Sequence, residues 1–546
     1  MQKTCKQCSA GFEISNEDLA FYDKISPIFN NKKCAIPSPT FCPNCRYQRR
    51  LAQRNERNFH KRTCDATGKE IVSIFSPDKK VPVYNQKYWW SDKWNAKDYG
   101  REFDFNRPFF KQFKELFHQV PQLAINNSQS ENSEYTNQSE LNKNCYFIVS
   151  SDSAEDCYYG MWYQSCKDCM DCLYLQKSEL CYEVFYGKSC YTCTFSQNLE
   201  NCSDCHYSQN CIGCKFCFGC INLRNKEYYI FNKPYIREEY FKKVKETRIN
   251  QRKLKEFFLQ SPQKYYTGKQ NENFLGDYVQ EVKNSWDIFN CRNAENINHC
   301  QDAWNARNCY DMTETFGQDF CLEIEGSAYT ASTFFCMKIK NTHESFYSCY
   351  CYFSHDLFGC VGLKNSAYCI LNKQYSKEDY QVMIAKIIGH MQKTTEWGEH
   401  FPKENSFFAY NETTAQEYFP LTKEQALLQG YKWKDPDSRN NLPQTVQVPE
   451  KIQDTPDSIQ KEFLACKECG KNYKIIPQEL VFYRKMDIAI PTICPDCRHK
   501  ARMNLRNPRK LWLRICARCG REIQTSYAPE RPEIVYCEEC YLKEVY

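Results

Sequence analysis

From Cys145 to Cys220, short runs of Tyr, Phe, Val and Cys alternate with Ser, Asn, Asp and Gly, and cysteine returns at intervals of 9 and 12 residues. Apolar runs this short, rich in aromatic residues and bounded by turn formers, predict strands and not helices. The two intervals sum to 21, at which Cys169 aligns with Cys190 and Cys211, Cys172 with Cys193 and Cys214, and Cys181 with Cys202. Self-similarity at a fixed period of about 20 residues or more marks a solenoid. The pattern therefore predicts a β-solenoid with a repeat of 21 whose coils stack equivalent thiols into inward ladders. A second, cysteine-poorer block runs from about Gly276 to Cys369.

Both blocks end alike. "CFGCINLRNKEYYIFNKPYIREEY" (Cys217 to Tyr240) matches "LFGCVGLKNSAYCILNKQYSKEDY" (Leu357 to Tyr380) without a gap at an offset of 357 − 217 = 140. Each ending leads into a helix that can close an open sheet edge. In the second, Ser376 with Asp379 reads as a capping box; in the first, the helix is expected to run on through "FKKVKETRINQRKLKEFF". The pattern thus divides the middle into a helical junction (101–140), solenoid segment 1 (141–233), a helical connector (234–270), solenoid segment 2 (271–373) and a helical cap region (374–434). The Pro-rich, polar stretch 435–460 reads as a linker.

The two ends repeat each other. Cys5 and Cys8 with Cys42 and Cys45 form two Cys-x-x-Cys knuckles, as do Cys466 and Cys469 with Cys494 and Cys497. Four thiolates in two knuckles are the sulfur shell that structural zinc prefers. From the second knuckle onward the ends align at an offset of 494 − 42 = 452. The C-terminal copy adds a further set, Cys516, Cys519, Cys537 and Cys540. In the N-terminal copy only Cys64 survives, with Thr67, Asn85 and Tyr88 at the other three places, so this ribbon is expected to keep its shape without metal, its gap filled by aromatics of "YWWSDKW". The expectation is a mainly β protein with helices, zinc ribbons in 1–100 and 461–546, and three zinc sites.

Between the ribbons of each end lies a basic segment, "RYQRRLAQRNERNFHKR" and "RHKARMNLRNPRKLWLR". On a helix, Arg46, Arg50 and Arg54 share one face, as do Arg498, Arg502 and Arg506. Such a face suits phosphate, although a solvated face or a set of intramodule ion pairs is the alternative.

Composition narrows the picture. The 546 residues include 37 cysteines, 39 tyrosines and 36 phenylalanines with a net charge of +6, too mild to carry meaning in bulk. An odd number of thiols, many in Cys-x-x-Cys pairs, suits metal in a reducing compartment, and the expected location is cytoplasmic. No apolar run reaches the roughly 18 residues of a membrane span. There is no Gly-x-Ser-x-Gly, Walker loop, Rossmann fingerprint or His-Glu-x-x-His, so no catalytic residue or small-molecule substrate is evident and the chain is expected not to be an enzyme.

Cys211, Cys214, Cys217 and Cys220, in "NCIGCKFCFGC", invite an iron–sulfur reading. A ferredoxin run has a longer last gap followed by proline, whereas Ile221 follows here, and Cys217 and Cys214 align with Leu357 and Ser354 of the other block. A ladder of buried thiols is the better reading, with an iron–sulfur or thiol redox protein as the alternative.

With Cys-x-x-Cys ribbons at both ends, "YWWSDKW", "IFNKPY"/"ILNKQY" and "FAYNET…EYFPLT", almost the whole chain resembles a family of zinc-ribbon, cysteine-repeat proteins of candidate-phyla bacteria, some of them labelled CaiB/BaiF. The resemblance implies this architecture and no activity. The functional expectation is a zinc-binding scaffold whose Arg faces engage nucleic acid, RNA above all, or a ribonucleoprotein. The alternative is a protein–protein interaction scaffold that uses the solenoid faces.

Overall fold

The structure is a computed structural model that describes residues 1–435 and 441–546. The middle of the chain forms two parallel β-solenoids. Their coil is 12 residues long, since Met161 pairs with Leu173, Cys169 with Cys181, Cys205 with Cys217 and His343 with His355. This corrects the expected repeat of 21. A left-handed residue recurs at nearly every third position, for example Ser165, Asp168, Asp171, Tyr174 and Lys177. Each such residue turns a corner, and the next residue points inward, so a coil of 12 has four sides of three. An interval of 9 is then three sides, and the interval of 21 combines one full coil with three sides of the next.

The interior follows from that geometry. Cys145, Cys157, Cys169, Cys181, Cys193, Cys205 and Cys217 form one unbroken column of buried thiols. Each Sγ can donate to the carbonyl two residues before it, as Cys169 does to Lys167 (3.1 Å) and Cys205 to Ser203 (3.4 Å). Serine makes the same bond at Ser178 and Ser196. A small side chain with a weak donor fits a coil this narrow, which is why cysteine replaces the usual Leu and Val. Every cysteine is free of disulfide.

Parallel pairing begins at Asn127, which pairs with Ser139, so the polar stretch assigned to the junction already forms coils. The junction helix is Phe109–Gln119. Segment 2 pairs from Gly268 onward. Ser376 caps the helix Lys377–Lys393 as expected. The helix after segment 1 does not run on: it is two helices, Arg237–Glu246 and Gln251–Leu259. Residues 436–440 of the expected linker lie outside the described residues, and the following stretch lies along the ribbon, with Leu442 N–H donating to Asn472 (2.7 Å).

The two solenoids lie side by side and antiparallel. Glu140 meets Lys340 (2.7 Å), the Trp162 and Trp304 rings lie 5.3 Å apart, Tyr186 stacks on Tyr278 at 3.9 Å, and Glu200 meets Lys269 (2.6 Å). As the position advances along segment 1 it retreats along segment 2.

Candidate metal centres and the arginine clamps

Three sets of four thiols converge: Cys5, Cys8, Cys42 and Cys45; Cys466, Cys469, Cys494 and Cys497; and Cys516, Cys519, Cys537 and Cys540. In each set all four Sγ atoms lie within 4.8 Å of one another. Local structure places them. A hairpin holds the first knuckle, and the second opens a helix, Pro43–Leu51, Pro495–Met503 or Glu538–Val545, with cysteine at the N-cap. The cross-knuckle contacts Cys8–Cys42, Cys469–Cys494 and Cys519–Cys537 are each 3.7 Å.

Backbone amides favour the thiolate. Cys494 N–H donates to Cys466 Sγ and Cys537 N–H to Cys516 Sγ, both at 3.2 Å. Burial raises the pKa of both thiols, but the amides of the knuckles outweigh it and hold each at about 6. The degenerate N-terminal ribbon keeps this scaffold. Cys64 N–H donates to Lys69 O as Cys516 N–H does to Arg521 O, both at 2.8 Å, and Asn85 N–H donates to Cys64 Sγ at 3.3 Å where Cys537 N–H donates to Cys516 Sγ. Asn85 Nδ2 bridges Cys64 and Thr67, closing the gap with hydrogen bonds. Of the aromatics expected to fill it, Trp89 and Trp90 pack instead against Tyr352 of segment 2.

No solenoid cysteine belongs to a converging set among the described residues. Cys211, Cys214, Cys217 and Cys220 occupy the four inward positions of a single coil, one per side, all fully buried. They form a ring around the solenoid axis and not a compact ligand set.

The arginine faces are corrected most sharply. Arg46, Arg50, Arg54, Arg498 and Arg502 are at most 3% exposed and turn inward onto the solenoids. Arg46 Nε lies 3.0 Å from Asp311, and Arg50 Nη1 lies 3.2 Å from Asp311 and 2.9 Å from Glu323. Arg54, beyond the end of the helix, pairs with Glu56 and Glu314. At the other end Arg498 lies 2.8 Å from Asp171, and Arg502 lies 2.9 Å from Asp171 and 3.0 Å from Glu183. Arg506, half-buried, stacks over Tyr418 at 4.2 Å. No phosphate can reach the five buried guanidiniums while the modules stay docked.

The acidic partners follow the same internal duplication. Asp311 and Glu323 are Asp171 and Glu183 shifted by 311 − 171 = 140, and in each pair the two residues stand one coil of 12 apart at left-handed corners. The N-terminal module thus clamps segment 2 and the C-terminal module clamps segment 1, each arginine pair on an equivalent carboxylate pair. Burial raises Glu323, but Arg49, Arg50, His400 and Arg46 outweigh it and hold the carboxyl at about 2. Glu183 faces fewer cations, and burial keeps it at about 7 despite Arg502.

No family model matches this chain. Nor does any curated protein match it. A solved chain described as an acetyltransferase from Desulfovibrio desulfuricans G20 is similar at 10% identity, over 46% of this chain and 69% of that one, with a TM-score of 0.10, too slight to carry fold or activity across. Among the described residues, no helix is long and apolar enough to cross a membrane.

Proposed function

We propose that the protein is a non-catalytic, zinc-dependent binding scaffold in which zinc ribbons lock two antiparallel solenoids into one frame. The sulfur geometry carries the reading. At a Zn–S distance of about 2.3 Å, two ligands of a tetrahedron stand about 3.8 Å apart, against 3.7 Å for one cross-knuckle pair in each set. Four thiolates leave no open position, which fits a structural ion and not a catalytic one. Each ion would fix the start of its ribbon helix. Two of these helices carry the docked arginines, so zinc would act at a distance on how the solenoids are held.

Nucleic acid is not carried forward as the partner of the arginine faces, because the carboxylates of the solenoids already occupy them. Binding is assigned to the solenoid surfaces instead, including the stack of exposed Phe195 on half-buried Tyr207 at 4.8 Å. Elemental analysis of the purified chain tests the reading: three zinc ions and no iron are expected, and stoichiometric iron, or no metal after purification without chelator, would overturn it.

A further inference from the structure

Where residues 126–164 of segment 1 face residues 304–353 of segment 2, the solenoids leave a cleft of about 860 Å³, bordered also by Gln86 and Trp90 of the N-terminal module. Its volume falls in the range of about 300–1,000 Å³ usual for ligand sites. Aromatic rings line it: Trp90, Trp162 and Trp304 among them, with Tyr329 and Phe353 about half exposed. Side-chain amides of Gln86, Asn126, Gln138 and Gln164 also line it.

Its charges cancel. Lys340 is spent on Glu140 (2.7 Å) and Arg54 on Glu56 and Glu314. Among the described residues Asp152 makes no ion pair, and Lys338, its Nζ 5.3 Å from the centre of the Tyr350 ring, is the remaining cation. Binding a phosphate chain requires a surplus of cations, and the cleft has none.

We propose that this cleft binds a neutral, hydroxyl-rich ligand of the oligosaccharide class. Its ring faces would stack on the aromatic side chains and its hydroxyls would bond the side-chain amides. The proposal rests on how the solenoids pack and not on the identity of the ribbon metal, so its failure would leave the zinc count untouched.

The test titrates the full, metal-loaded chain with neutral gluco-, manno-, galacto-, xylo- and N-acetylglucosamine oligosaccharides, reading tryptophan fluorescence and calorimetry. A thymidine oligonucleotide and a sulfated oligosaccharide serve as anionic probes. At least one neutral series is expected to bind with a Kd of about 1 mM or tighter. Trp162→Ala and Tyr329→Ala should each weaken it by about tenfold or more, the loss of one stacking partner, whereas Val481→Ala, exposed on the C-terminal module, should leave it unchanged. Should Trp162→Ala misfold by circular dichroism, Tyr329→Ala and Gln164→Ala decide. No neutral binding, binding of the anionic probes alone, or neutral binding indifferent to the cleft variants would overturn the proposal.

Discussion

Replacing Arg50 by Met removes a fully buried guanidinium that joins two acidic residues of segment 2. The variant leaves Asp311 and Glu323 buried with one cation fewer, and Thr313 loses the donor that Arg50 Nε offers at 3.1 Å. Breaking a buried ion pair from one side costs about 3–5 kcal/mol. Asp311 retains Arg46 at 3.0 Å, and Glu323 retains Arg49 at 3.2 Å, so the cost should fall near the lower end, about 3 kcal/mol. An exposed helix pair, Arg252 with Glu256, supplies the control: Arg252→Met should cost less than about 0.5 kcal/mol. Urea unfolding at fixed zinc, followed by circular dichroism and tryptophan fluorescence, reads both. A chain of this size need not unfold in one step, so the free energy of the first transition is compared, since loss of the clamp should appear there. A stability within about 0.5 kcal/mol of the parent, matching the exposed control, would refute the clamp.

Three further outcomes follow from the same contacts. Chelation should release the three ions and shift the first unfolding transition markedly, since structural zinc binds with about 10–16 kcal/mol; a chelated chain that unfolds as before would speak against a structural ion. Glu323, held at about 2 against 4.5 when free, contributes stability that is fully present above 4.5 and lost as pH falls through 2. The advantage of the parent over Glu323→Gln should therefore shrink across that window by about 3 kcal/mol, and a pH-independent difference would disprove the assignment. In the thiol column, Cys181→Ser should cost under about 1 kcal/mol because serine makes the same local bond at Ser178, whereas Cys181→Leu overpacks the coil and should cost about 1–3 kcal/mol; the two are separated by their urea midpoints.

Much of the architecture was legible in the sequence. The ribbons announce themselves because zinc imposes ligand type and spacing locally, and all twelve candidate ligands converge in their expected sets of four. The solenoid was visible too, but its coil was misread. Cysteine fills only some of the four inward places in most coils, so the recurring intervals reported a mixture of whole coils and three-sided steps. The period was available in the column from Cys145 to Cys217, where thiols recur every 12 residues without a gap. The arginine segments were correctly read as helical near Arg46 and Arg498, but the charge of a helix face says nothing of what covers it. The answer lay in Asp171 with Glu183 and Asp311 with Glu323, which obey both the coil spacing and the offset of 140. The cleft left no local signal, because its walls come from segments that meet only through antiparallel packing.

Zero-length carbodiimide cross-linking of the folded chain, read by peptide mass spectrometry, tests the frame most directly. It joins amines to carboxylates already in contact. The predicted long-range products are Lys485 with Asp168, which reports the C-terminal module on segment 1, and Lys340 with Glu140 and Lys269 with Glu200, which report the antiparallel solenoids. Local products such as Lys33 with Asp23 provide the internal standard. Recovery of the long-range products beside the standard is the predicted result; the standard alone, with none of the three, would contradict the clamped antiparallel frame.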